Sequence, residues 1–170
     1  MTSFLIQAHE NRPASAWNND AECVFCRIVR NESPAARVFE NELVIAILDI
    51  LPLRKGHTLV IPKAHHSRLS ELPPQLAAAL GEAVTKVAHA LTLALDNTAL
   101  NVVCNQEYAQ AVPHVHYHVI PAPTFGKQTL PAAETAPLTQ KEMHRREFEG
   151  RTELDEDEAT VLAKQICSKL

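Results

Sequence analysis

The run PHVHYHVIP, residues 113–121, places His114, His116 and His118 in alternation with Val115, Tyr117 and Val119. In an extended chain successive side chains leave on opposite faces, so this alternation sends three imidazoles to one side and an apolar row to the other. Any polar residue would serve on a solvent-facing edge strand, so amphipathicity alone does not call for histidine. Imidazoles gathered on a largely buried strand each need a partner, which points to chemistry or to metal binding.

The other segments supply what such a strand needs. Residues 37–40 (RVFE), 43–50 (LVIAILDI) and 57–62 (HTLVIP) are rich in β-branched residues and separated by Asn41 and the Pro52–Gly56 turn, which predicts three antiparallel strands. Residues 100–104 and 115–120 complete the set, closed by Pro121 and Pro123. Between them Leu76, Leu80, Ala83, Val84, Val87, Leu91 and Leu95 recur at three- and four-residue steps, predicting a long helix over 74–96 packed on the sheet. CVFCRIVR, residues 23–30, reads as a short amphipathic helix ending near Asn31. The sum is an α+β domain with an antiparallel sheet of about five strands, one long helix and a short N-terminal helix. Residues 1–21 read as a flexible extension, 22–123 as the core domain, and 124–170 as a tail with a short helix at 155–168, acidic at its start and basic at its end.

A net charge of −4 offers no broad positive field for a nucleic-acid backbone. No run approaches the roughly 20 apolar residues of a membrane span, so no membrane association is expected. Four cysteines, two of them in a CxxC, do not resemble a secreted disulfide framework, and the expected address is cytoplasmic or nucleocytoplasmic.

A neutral imidazole is a nucleophile near pH 7, provided a hydrogen bond to its other nitrogen fixes the tautomer. Neighbouring histidines can then donate to phosphate oxygens, and the amide of Gln110 in the preceding turn is a further donor for developing charge. Cys23 and Cys26 put two soft ligands on one turn; with His65 and a strand histidine they would make a tetrahedral zinc site, while redox or packing roles also fit a CxxC. Asp49 ends a strand where a carboxylate can accept from vicinal hydroxyls, or act as an ordinary turn acid. His57 opens the next strand and could orient another histidine.

With HVHYHVI, CVFCRIV, PAARVFENELVIAILDILPLRKGHTLVIPKAHH and NVVCNQEYAQAV in order, residues 22–123 resemble the histidine triad (HIT) proteins, in particular the Hint-type nucleoside phosphoramidases with a zinc-bearing CxxC. The resemblance implies an α+β homodimer acting on the α-phosphate of purine nucleoside 5′-phosphoramidates through a covalent nucleotidyl-histidine. It assigns His116 as nucleophile, His118 and Gln110 as phosphate contacts, and His57 as support for the triad. Asp49 would hold the ribose hydroxyls, Phe25, Ile28, Ile47 and Ile50 would line the purine pocket, and Asn105 would also contact the nucleotide. Structural zinc would sit on Cys23, Cys26, His65 and His114. The rivals are a dinucleoside polyphosphate hydrolase of the Fhit type and a nucleotide-binding interaction protein with weak turnover. Three departures mark this chain: Glu107, Tyr108 and Ala109 stand where relatives favour glycines and small polar residues, Ala111 stands where many carry serine, and the tail lacks the tryptophan-containing segment of animal Hint proteins.

Overall fold

The computed structural model describes residues 22–123, 145 and 148–170, so the expected N-terminal extension and most of the 124–147 linker lie outside the described residues. The elements, in chain order, are α1 (Val24–Val29), β1 (Arg37–Glu40), β2 (Val44–Leu48), β3 (Thr58–Pro62), α2 (Pro74–Leu95), β4 (Leu100–Cys104), β5 (Tyr117–Pro121) and α3 (Glu156–Cys167). The strands form one antiparallel sheet in the order β1-β2-β3-β5-β4, as the α+β reading expected.

The sheet is buried on both faces at its centre, which is why β2 and β3 read as continuous apolar runs. Val44, Ala46, Leu48 and Val60 point to one face, where Val115 and Val119 join them under Leu80, Val87 and Leu91 of α2. Ile45, Ile47, Leu59 and Ile61 point to the other, under Cys23, Phe25, Cys26 and Ile28 of the α1 region. The histidines follow the second set.

Helix α2 begins with Pro74 in its first turn, where a missing N–H is no loss. It ends at Asp96 in the left-handed region, φ +50°. It is long and apolar enough to cross a membrane by length and composition, contrary to the reading of the sequence, with a mean hydropathy of 1.2 over its most apolar window. Its apolar stripe, however, lies in the core against the sheet. The turn into β3 needs Gly56: its φ is +85°, and a Cβ there would lie 2.6 Å from Leu95 Cδ1.

Helix α3 corrects the expectation that the core ends at 123. Asp155 caps it, accepting from the N–H groups of Asp157 and Glu158 at 3.0 and 3.1 Å. Ala159, Leu162, Ala163 and Ile166 then enter the same core as the sheet and α2. The charge pattern predicted the helix but not where its apolar face would pack. Because Ile166 is 0% exposed, Ile166→Ala should lower unfolding stability by about 2–5 kcal/mol in denaturant titration; a loss below about 1 kcal/mol would mean α3 is peripheral.

Candidate functional site

The ladder of β5 begins at Tyr117, two residues later than expected, and His114 and His116 lie in the extended approach to it. There the Val115 N–H donates to the His66 carbonyl at 2.7 Å. The alternation nevertheless holds. Val115 and Val119 enter the α2-side core while the imidazoles line the opposite face, with the His116 and His118 ring centroids 4.8 Å apart. Phe25 of α1 packs edge-on against His114 and His116, at 5.8 and 5.1 Å.

At one end of the row lies a sulfur and nitrogen cluster. His114 Nδ1 is 3.4 Å from Cys23 Sγ and 3.6 Å from Cys26 Sγ, and His65 Nδ1 is 3.3 Å from Cys26 Sγ. All four ligand atoms fall within 4.8 Å of one another. A tetrahedral zinc with bonds of about 2.3 Å to sulfur and about 2.0–2.1 Å to nitrogen separates S from N by roughly 3.5 Å, so these residues fit the ion. His114 Nε2–H donates to the Pro62 carbonyl at 2.8 Å, which leaves Nδ1 as the ligating atom. Burial lowers the pKa of His114 to about 4, favouring the neutral, ligating form.

At the other end the hydrogen bonds fix each tautomer. A carbonyl can only accept, so the 2.7 Å contact with the His114 carbonyl places the proton of His116 on Nδ1 and leaves a lone pair on Nε2. The Leu53 N–H donates to His57 Nδ1 at 3.1 Å, so His57 carries its proton on Nε2 and donates to His118 Nδ1 at 2.9 Å. His118 therefore presents an Nε2–H. Asp49 Oδ2 stands 3.4 Å from His57 Nδ1, too far to displace the backbone donor, while its Oδ1 accepts from the Leu51 N–H at 2.9 Å.

Burial keeps these rings neutral. It lowers the pKa of His118 to about 3, with repulsion from His116 and His57 adding to the effect. His116 is lowered chiefly by burial. So is His57, with the Asp49 carboxylate opposing and the Arg151 and Arg54 guanidinium groups among the groups reinforcing.

The remaining predicted residues divide. Gln110 is 1% exposed and its amide is engaged at both ends: Nε2 donates to the Ser67 carbonyl at 2.9 Å and Oε1 accepts from the Glu107 N–H at 2.7 Å. In this arrangement it pins the loop before the triad. Phe25 and Ile28 of α1 are buried in one cluster with Ile47 of β2, Ile50 is 62% exposed beside Asp49, and Asn105 is half-buried just after β4. Glu107 and Ala109 both adopt φ +58°, a left-handed backbone that glycine would meet without strain. The sequence reading missed the brace on this loop: Arg68 Nε binds Glu107 at 2.5 Å and the Ser70 N–H donates to Gln106 at 2.9 Å. An acid in place of a glycine was the available signal, since a glutamate held in a loop invites a cation.

The geometry agrees with the relationships of the chain. A model of the HIT domain matches residues 30–124, more than half of the sequence, and the chain belongs to that family. It is 39% identical over 110 residues to the adenylylsulfatase HINT3 of Arabidopsis thaliana, covering 64% of this chain and 55% of that protein, so it spans about half of that relative's length. It is 41% identical over 102 residues to the adenosine 5′-monophosphoramidase hnt1 of Schizosaccharomyces pombe, covering 59% of this chain and 74% of that one. The structure of a Zn-bound histidine triad family protein from Mycobacterium smegmatis matches with a TM-score of 0.67 at 28% identity, over 89% of this chain and 94% of that one.

A histidine that is neutral when folded and titrates normally when unfolded takes up a proton on unfolding. The stability contributed by His118 is therefore complete above about pH 6.5 and is lost as the pH falls toward about 3. The denaturation midpoint should fall from about pH 7 to about pH 4, and His118→Gln should flatten that slope; identical slopes would assign the acid sensitivity to other groups.

Proposed function

We propose that the chain is a hydrolase of purine nucleoside 5′-phosphoramidates and related α-phosphate derivatives, working through a nucleotidyl-histidine on His116. The observation that carries this reading is the hydrogen bond from His116 Nδ1–H to the His114 carbonyl, which leaves Nε2 as a lone pair beside a donor histidine. The names of the plant and fission-yeast relatives, an adenylylsulfatase and an adenosine 5′-monophosphoramidase, support the same substrate class.

In the first step His116 Nε2 bonds to the α-phosphorus as the bond to the leaving group breaks, and an amine leaving group takes a proton as it departs. His118 Nε2–H is placed to stabilise charge on the phosphoryl oxygens or to protonate the leaving atom, a contribution of about 3 kcal/mol for a well-aimed donor. Its proton position is held by His57 and, through His57, by the Leu53 N–H. Water then attacks the phosphorus, the P–N bond to His116 breaks and the nucleoside monophosphate leaves. Asp49 retains lone pairs for the ribose hydroxyls, and Ile50 offers apolar surface for the base against the wall formed by Phe25, Ile28 and Ile47. Gln110 serves this reaction by holding the loop that precedes the triad.

Zinc, held by Cys23, Cys26, His65 and His114, would fill all four positions with protein ligands and act structurally, pinning α1 to the approach to β5.

His116→Ala should abolish release of AMP from an adenosine phosphoramidate while AMP binding persists, and intact-protein mass spectrometry after a non-acidic quench should find an adenylyl adduct on the unaltered chain alone. Turnover by the alanine variant would refute the assignment. Elemental analysis should find about one zinc per chain, lost in Cys26→Ser with a lower melting temperature. A metal-replete preparation free of zinc would overturn that part of the reading.

A further inference from the structure

The segment leading into α3 crosses the β2–β3 end of the sheet. The Leu154 N–H donates to the carbonyl of Ile50 at 2.9 Å, next to Asp49, and the Leu154 side chain packs on the main core. Beyond it Asp155 caps α3, and Lys55 of the β2–β3 loop lies 3.8 Å from Glu158. The strap is thus fixed at the β2–β3 end of the sheet, where Asp49 and His57 meet. Arg151 is three residues before Leu154, within roughly 11 Å of it along the backbone.

The guanidinium of Arg151 lies over the Phe148 ring, with Cζ 3.7 Å from the centroid, and its Nε–H donates to the Phe148 carbonyl at 3.1 Å. Among the described residues no carboxylate pairs with it, and both Nη groups remain as donors. The other cation beside His57, Arg54, directs its Nη1 to the Pro121 carbonyl. A partly buried, pre-oriented guanidinium of this kind is suited to a phosphate-like anion.

We infer that Arg151 is an anion-binding residue of the nucleotide site, contacting phosphate oxygens of the bound nucleotide from a strap that lies outside the matched HIT domain. The inference rests on the proposed function. It is supported independently by the repulsion between Arg151 and a protonated His57, which places the cation within electrostatic reach of the ring that holds His118. The chain would therefore read the phosphate from two directions, with His118 from the sheet and Arg151 from the strap.

Calorimetric titration of the full chain with AMP and with adenosine tests it. Arg151→Gln should weaken AMP binding roughly tenfold, the loss expected for one charge-assisted hydrogen bond, and leave adenosine binding unchanged. Arg151→Lys should retain part of the AMP affinity, and thermal melts should confirm that both variants are folded. Unchanged AMP affinity in Arg151→Gln, or an equal loss for AMP and adenosine, would overturn the inference and leave the proposed reaction standing. Failure of the unaltered chain to bind AMP would overturn both.

Discussion

His114 makes three commitments at once, and the rest of the site depends on them. Its Nδ1 faces the two cysteine sulfurs, its Nε2–H is bound to the Pro62 carbonyl, and its own carbonyl fixes the proton of His116. A side chain held at both nitrogens gives its peptide little freedom, so the carbonyl that sets the His116 tautomer is itself fixed. The Cys/His cluster and the triad are therefore one structure. The α1 helix, which contributes Phe25 and Cys26 and is preceded by Cys23, packs on the histidine row although it comes first among the described elements.

Neutrality of the imidazole row is the second constraint. His116, His118 and His57, in ring contact through His118, would repel one another if charged, and burial makes charging harder still. His116 donates to the His114 carbonyl, while His57 accepts from the Leu53 N–H and donates to His118, so a proton has a fixed place along the row. Asp49 stands close enough to favour a charged His57, yet the backbone donor of Leu53 occupies the nitrogen it would need. The carboxylate is thereby left to other work.

Much of this was legible in the residues. The two-residue period of the strands, the stripe of α2 and the acidic start of α3 are local patterns, and each element formed within a residue or two of its predicted bounds. The CxxC with His65 and a triad histidine could be read because metal ligands are restricted in type and spacing. What escaped depends on tertiary partners. The ladder of β5 starts late because the backbone at His114–His116 is bound elsewhere. Nothing local to Gln110 reveals that its amide meets Ser67 and Glu107 and so braces the loop. The destination of the α3 apolar face and the approach of Arg151 to His57 are settled only once distant segments meet.

The sheet order places β5 between β3 and β4, with ladder partners along both edges. Displacing β5, which carries His118 and directly follows His116, would break hydrogen bonds on two sides and uncover Val119 on the α2 face. Site integrity and global folding are then nearly the same quantity. Sequence drift elsewhere in the core would change how many molecules are active at a given moment, while each folded molecule would carry the same site.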